Sequence, residues 1–434
     1  MRMSEIIRKK QLGEALSHEE IRYFLDGYVR EEIPDYQASA LVMAIWFMGM
    51  NMEETAELTL AMAESGAMID LSPIQGIKVD KHSSGGVADT TTIAVGPLAA
   101  SCGAKVAKMS GRGLSFSGGT LDKLESIPGF RVDQDMESFM KIVNTCGVSI
   151  IGQTADLVPA DKKLYALRDV TSTVDSMALI AASIMSKKLA SGGDKILLDV
   201  KWGSGAFMKR SDDALELAHI MVEIGRRAKR ETRALVTDMN QPLGHAVGNA
   251  LEVAEAIEIL RGEREGDLKD LIMELSAHLL EMAQVCSSRE EALRKLKESL
   301  DSGKALETLA HMIELHGGDP KVCEDTDLLP RASRVVPVCA EKSGWIQFMH
   351  TDEIGMAAVS IGAGRKRKED QIDPAVGLWM EKRLGDEVQE GEVLAQCYVN
   401  DEGSLSEAVN RLKRAVIIGE KPPRAGKLIS DIVE

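Results

Sequence analysis

Basic charge is in short supply: 52 Lys and Arg stand against 68 Asp and Glu in 434 residues, a formal net charge of −16. An acidic surface repels phosphate polymers and anionic lipid, which excludes general nucleic-acid and membrane-surface binding and requires any phosphate to be captured locally. Long apolar runs are missing as well. The longest, Leu41 to Met50 (LVMAIWFMGM), is about half the roughly 18 residues of a candidate membrane span, so a soluble protein is expected. The N-terminal MRMSEIIRKKQLGEAL has early charges and no apolar core, unlike a secretory signal. Six cysteines (102, 146, 286, 323, 339 and 397) show no C-x-x-C and no regular spacing, which fits a reduced, cytoplasmic location. The eight histidines include no H-E-x-x-H, and His311 and His316 are off the i, i+4 spacing that shares a helix face, so no zinc site is expected.

What is present reads as an ordinary globular chain of two to four domains, since 44% apolar and 28% charged residues are too apolar for wholesale disorder. Residues 1–68 read as short helices, with Ser17-x-x-Glu20 and Asn51-x-x-Glu54 as N-terminal caps. From Ile77 the texture changes to β-branched strands, 77–80, 105–109, 148–152 and 196–200, separated by Gly-rich loops and helical patterns. That alternation predicts an α/β domain with a largely parallel sheet. Helical stretches at 160–168 and 175–189 can return to the first helices, making the all-α domain discontinuous (1–68 plus 160–192) around an α/β domain (69–159 plus 193–318). Helical residues 212–315, interrupted by a strand-like 233–238, end at the breaker-rich 317–330. Residues 331–434 alternate (RVVPVCA, GWIQFM, GEVLAQCYV) as an α+β module.

Three loops carry the chemistry. In VDKHSSGGVADTTT (79–92) a strand runs into a loop holding Lys81, His82, Ser83 and Ser84, then Gly85-Gly86 and a helix start near Thr90. Glycine-loop N–H groups, hydroxyls and a lysine make an oxyanion cradle there, although the loop matches neither G-x-x-x-x-G-K-[ST] nor G-x-G-x-x-G. A second loop, Lys108-Met109-Ser110-Gly111-Arg112-Gly113 and then Ser117-Gly118-Gly119-Thr120, and a third, Lys201-Trp202-Gly203-Ser204-Gly205, follow other strands. The carboxyl ends of parallel strands open on one crevice, so together these loops predict one anion site. In LYALRDVTSTVDSMALIAASIMSKK (164–188), Ser183 and Lys187 share a helix face and Lys188 points about 100° away.

KHSSGGVADTTT, KMSGRGLSFSGGTLDKLESIPGF, PADKKLYALRDVTSTV, SIMSKK, DVKWGSGAFMK and QPLGHAVGNALEV together resemble the pyrimidine-nucleoside and thymidine phosphorylase family, over essentially the whole chain. The resemblance implies a discontinuous helical domain, an α/β domain across a cleft and a C-terminal α+β domain, as a homodimer. It implies a pentosyltransferase: reversible phosphorolysis of uridine, thymidine or deoxyuridine to free base and (deoxy)ribose 1-phosphate, or the narrower thymidine phosphorylase restricted to deoxyribonucleosides. By motif, Lys81, Ser83, Thr92, Lys108, Ser110 and Thr120 would hold phosphate. His82, Arg168, Ser183 and Lys187 would hold the base, with His82, Arg168 and Lys187 acting in catalysis. A potassium ion (K+) would lie on Ala88, Thr90, Leu243, Ala246 and Glu255, mostly through backbone carbonyls, with no organic cofactor.

Two loops depart from the family pattern. K-H-S-T-G-G-V-G-D has become a segment with Ser84 and Ala88, and a positive φ at Ala88 would be strained. G-H-T-G-G-T has become SFSGGT, placing the apolar Phe116 where a histidine is usual and altering the sugar-side contacts. Other chemistries fit less of the chain. A phosphoribosyltransferase of the anthranilate type would need acidic residues placed for Mg²⁺. EKRLGDEVQEGEVLA resembles half a lipoyl or biotinyl carrier, yet QCYVNDEG offers no lysine for attachment. The RKRK run at 365–368 is followed at once by Glu369 and Asp370 and reads as a solvated loop.

Overall fold

Two capping boxes start the chain's first layer. The structure is a computed structural model that describes all residues except 114, 115, 117, 155, 368, 402 and 425. Helices α1 (Met3–Gln11), α2 (His18–Val29), α3 (Asp35–Met48) and α4 (Met52–Ala63) form an N-terminal bundle. Ser17 Oγ accepts the Glu20 N–H at the start of α2, and Asn51 Oδ1 accepts that of Glu54 at the start of α4. The buried Glu54 also receives Lys10 Nζ at 2.7 Å and the Leu16 N–H at 2.8 Å, tying α1 to α4.

The sheet behind the bundle contains β1 (Lys78–Ser83), β2 (Lys105–Ser110), β3 (Val148–Gly152), β4 (Lys195–Trp202) and β5 (Glu231–Asp238), parallel in the order β5-β4-β1-β2-β3. Its strands are apolar on both faces because both are covered. In β4, Ile196, Leu198 and Val200 pack toward the bundle, whereas Leu197 packs into the opposite layer. That layer contains α5 (Thr91–Ser101), α6 (Thr120–Leu124) and, further along the chain, α11 (Asn249–Leu260), α12 (Asp267–Met282), α13 (Arg289–Asp301) and α14 (Lys304–Leu315). On the bundle side lie α7 (Met136–Cys146), α8 (Pro159–Val170), α9 (Met177–Ala190) and α10 (Ser211–Arg227). Leu164 of α8 and Leu179, Ala182 and Met185 of α9 share one apolar core with α1 to α4, so the all-α layer is discontinuous in sequence.

The C-terminal residues form a four-stranded and a three-stranded sheet with two helices, Thr351–Ser360 and Leu405–Ala415. Two segments cross the boundaries drawn from sequence. Ala246–Val247 leaves the α/β domain to pair with Gly377–Met380, and Ile429–Val433 leaves the 331–434 module to run antiparallel to β5. The reason is edge protection: β5 would otherwise present unpaired N–H and C=O groups along its free side. The reading of RKRK as a solvated loop also needs correction. Arg365 donates to both Asp122 oxygens, at 3.1 and 2.9 Å, joining the module to α6, while Lys368 lies outside the described residues. Among the described residues no helix is long and apolar enough to cross a membrane.

Candidate active site

Register brings the anion-binding loops side by side. Lys78 pairs with Lys105 and Val79 with Val106, and the same offset sets Lys81 level with Lys108 and Ser83 level with Ser110 at the carboxyl ends of β1 and β2. Thr92 is in the first turn of α5 and Thr120 opens α6. Ser115 and Ser117 of the second loop lie outside the described residues.

Four buried lysines meet three buried or half-buried aspartates at this edge of the sheet. Asp80 receives Lys188 Nζ at 2.7 Å and lies 3.6 Å from Lys108; Asp199 lies 2.8 Å from Lys201 and 3.3 Å from Lys81; Asp89 lies 3.9 Å from Lys201. One positive charge is left over. The strain of that excess shows in the titration of its members. Burial and then the neighbouring Lys188 push Lys108 down to about 7. Burial alone would raise the Asp89 carboxyl, but Lys201 and Lys81 hold it well below the usual carboxylate range. Such an edge is short of negative charge and would favour an anion.

Sequence reading placed Lys201 in the third loop of the anion site but missed Asp80, Asp89, Asp199 and Lys188 as parts of this network. The available signal was charge inside apolar strands, as in KVDK and LLDVK, where an unpaired ion would be costly. Lys188 does point away from Ser183 and Lys187, and it turns inward to Asp80 and the Met109 carbonyl.

On the helical side a cavity of about 550 Å³ opens between α8, α9 and the loop after β4. Arg168, Ser183 and Lys187 line it together with Tyr165, Phe207 and Met208. Lys187 Nζ donates to Asp161 at 2.6 Å and to Ser183 Oγ at 3.0 Å, the i, i+4 contact expected on one helix face. Arg168, only 1% exposed, donates to the carbonyls of Thr173, Val174 and Leu179, which fixes the guanidinium plane and leaves two of its five N–H groups uncommitted. His82 is not on the cavity wall, which Ser84 of the same loop borders. Burial, Lys188, Lys108, Lys81 and Lys187 drive the His82 imidazole well below its ordinary pKa. The expected proton donor is therefore neutral in the resting site, and a neutral imidazole offers an N–H hydrogen bond instead.

Phe116 is half-buried against the core of the C-terminal module. Its ring centroid is 6.3 Å from that of Phe207 at the cavity mouth, and Lys209 Nζ sits 5.6 Å above its face. A Cβ on Gly355 would come within 2.5 Å of the Phe116 carbonyl, so this glycine is what lets the module approach the loop.

Models of three parts of one family match in order: the helical bundle domain of the glycosyl transferase family (4–66), its a/b domain (75–306) and the pyrimidine nucleoside phosphorylase C-terminal domain (345–419). A pyrimidine-nucleoside phosphorylase of Geobacillus stearothermophilus is 51% identical over 431 residues, 99% of both chains. The chain belongs to the pyrimidine-nucleoside phosphorylase family. The Bacillus subtilis member is 51% identical over 433 residues and all of both chains. The protein is thus an enzyme of the pentosyltransferase class. An anthranilate phosphoribosyltransferase of Thermus thermophilus shares the fold with a TM-score of 0.58 at 21% identity, covering 72% of this chain and 99% of its own.

The oxygens assigned to potassium already take part in hydrogen bonds within the protein. Thr90 Oγ1 donates to Glu252 at 2.6 Å, and the Ala88 carbonyl accepts the N–H groups of Thr90 and Gly244 at 3.2 and 3.3 Å. Glu255 accepts those of His245 and Ala246 at 2.7 and 3.0 Å. The Leu243 carbonyl accepts Arg383 Nη2 at 3.1 Å. A hydroxyl, backbone carbonyls and the buried Glu255 carboxylate are oxygen ligands of the kind that suits a potassium ion, and these residues would hold one; no catalytic step is routed through it.

Ala88 has the left-handed conformation anticipated, with φ of 58°. That conformation costs an alanine about 1–2 kcal/mol, against about 0.5–1 kcal/mol of extra unfolded-state entropy for glycine. Ala88→Gly is expected to gain up to about 1 kcal/mol in denaturant unfolding. A loss of stability would show that packing of the buried methyl outweighs the strain.

Proposed function

We propose that this enzyme catalyses reversible phosphorolysis of pyrimidine nucleosides, uridine, thymidine and deoxyuridine among them, by inorganic phosphate. The observation that carries the reading is the pairing of a lysine-rich strand edge with a cavity whose wall presents Arg168, Ser183 and Lys187.

Phosphate is already an anionic nucleophile and needs only a cationic cradle and aim. Lys81 and Lys108, with the hydroxyls of Ser83, Ser110, Thr92 and Thr120, hold it on the α/β side. As the bond from C1′ to the base nitrogen breaks, positive charge grows on the sugar and negative charge on the pyrimidine. Arg168 and Lys187 stabilise that charge at the base carbonyl oxygens, Ser183 bonds near N3, and neutral His82 donates an N–H bond to a carbonyl oxygen. A phosphate oxygen bonds to C1′, the base leaves with the bonding electron pair and takes a proton, and pentose 1-phosphate remains. Phosphate is held by the α/β layer and the base mainly by the helical layer, with His82 reaching the base from β1 beside the phosphate lysines, so closure of the cleft precedes reaction.

Phe116 and Phe207 offer no polar atom to a ribose 2′-hydroxyl, and a site that does not bond a hydroxyl discriminates weakly against it. Both sugars are therefore accepted. The apolar Tyr36, Phe47, Met48 and Val170, exposed on the helical layer, support a homodimer. Six free thiols fit a cytoplasmic enzyme.

Release of uracil from uridine and thymine from thymidine, each with and without phosphate, tests the reading. Bases are expected only with phosphate, and phosphate alone should raise the melting temperature once it exceeds its Kd. Because binding favours protonated Lys108, that protection is expected to weaken as pH rises past about 7. Base release without phosphate, or none with it, would overturn the proposal.

A further inference from the structure

Asp161 is 4% exposed in the first turn of α8, on the wall of the cavity that presents Arg168, Ser183 and Lys187. Its Oδ2 accepts Lys187 Nζ at 2.6 Å, and its Oδ1 is buried without a hydrogen-bond partner among the described residues. A carboxylate can accept at both oxygens, yet here one ammonium, reached across from α9, is the partner that offsets the cost of burying the charge. Burial lowers the pKa of Arg168, and Asp161 is the charge that most opposes that lowering, so one carboxylate serves both cations of the wall. One positive charge remains, equal to the single negative charge that a departing pyrimidine acquires.

Strain and hydrogen bonds fix the start of α8. Val158 at its N-cap has a φ of 49°, a strained conformation for a β-branched residue, and its carbonyl accepts the Asp161 N–H at 3.1 Å. Pro159 opens the helix, and the Ala160 N–H donates to Ser65 Oγ at 3.1 Å, just beyond α4. The carboxylate is thereby held where the flexible Lys187 side chain comes to meet it. Of the three N–H groups of that ammonium, one goes to Asp161 and one to Ser183 at 3.0 Å, which leaves one for a ligand. We propose that Asp161 is a positioning residue for Lys187, anchoring the ammonium so that its remaining N–H is directed at a carbonyl oxygen of the departing base. This rests on the phosphorolysis reading and deepens it. A lysine side chain has several rotatable bonds, and a donor whose direction is set in advance stabilises developing charge without reorganising.

The test measures base release from uridine and from 5-fluorouridine at saturating phosphate. Fluorine withdraws electrons and makes the pyrimidine a better leaving group, which needs less help from Lys187. Asp161→Asn keeps the shape and removes the charge. It is expected to lower kcat for uridine roughly tenfold with KM for uridine within about twofold, and to lower kcat for 5-fluorouridine by less. Added to Lys187→Ala, it is expected to cost no more than about twofold, because both changes act on one ammonium. A cooperative melt near that of wild type shows that a variant is folded. If Asp161→Asn does not fold, Asp161→Glu, which keeps the charge and displaces it by one methylene, is read in the same way. With wild type active, an unchanged kcat for uridine, an equal loss on both nucleosides, or an undiminished loss in the Lys187→Ala background would overturn this inference alone. A wild type that releases no base would overturn the phosphorolysis reading and this inference with it.

Discussion

Lys187→Ala is expected to lower kcat/KM for phosphorolysis by roughly 10²–10³ while leaving the KM for phosphate nearly unchanged. The neutral pyrimidine is a poor leaving group, so the barrier depends on how well the departing negative charge is received. Lys187 is the cation on the cavity wall that solvent reaches: its side chain is 25% exposed and held by Asp161 and Ser183, whereas Arg168 is locked onto three carbonyls. Loss of a cation matched to charge that develops in the transition state falls on kcat more than on ground-state binding. On the proposed reading phosphate sits across the cleft on other lysines, which is why its KM should stay. Steady-state base release against both substrates measures this, and an unaltered kcat/KM would remove Lys187 from the mechanism.

Asp80→Ala is expected to cost about 3–5 kcal/mol of stability, because it strips the shared counter-ion from two buried lysines. Asp80 is 1% exposed and partners Lys188 and Lys108, and its Oδ1 has no hydrogen bond of its own. Removing it raises the positive excess at the strand edge. Phosphate should therefore restore more stability to the variant than it adds to wild type. Denaturant unfolding with and without phosphate reads both effects. Equal stability would mean that the two buried lysines do not depend on Asp80 as their counter-ion.

The elements of the fold were legible where local chemistry is strong. Ser17 and Asn51 announce their helices because capping boxes are local, and KHSSGG and KMSGRG announce strand-to-helix loops because glycine, hydroxyl and lysine serve the same anion. Ser183 and Lys187 could be paired by helix period alone. Long-range pairing was not legible. Asp80 and Lys188 are 108 residues apart and Arg383 and Pro242 141, so each looked like an ordinary charge in its own segment. Arg383 sat in EKRLGDEVQEGEVLA, where the turn pattern pointed to a carrier-like hairpin. Nothing in one sequence shows that its side chain leaves that hairpin for another domain. His82 was expected in the loop after the strand, whereas β1 runs on to Ser83 and includes it, and the lowering of its pKa comes from burial and from lysines contributed by β1, β2 and α9.

Ile429–Val433 closes the edge of β5 with a bond such as Ser430 to Val236, 194 residues away in the chain. During synthesis the ribosome has therefore released β5, its following helices and most of the C-terminal module before the catalytic sheet can gain its outermost strand. Throughout that interval the nascent enzyme carries an open β edge, the feature by which one unfinished chain can pair with another. Completion of the sheet is a late, high-contact-order event. The molecule's yield in a crowded cell thus depends on five residues that touch neither substrate.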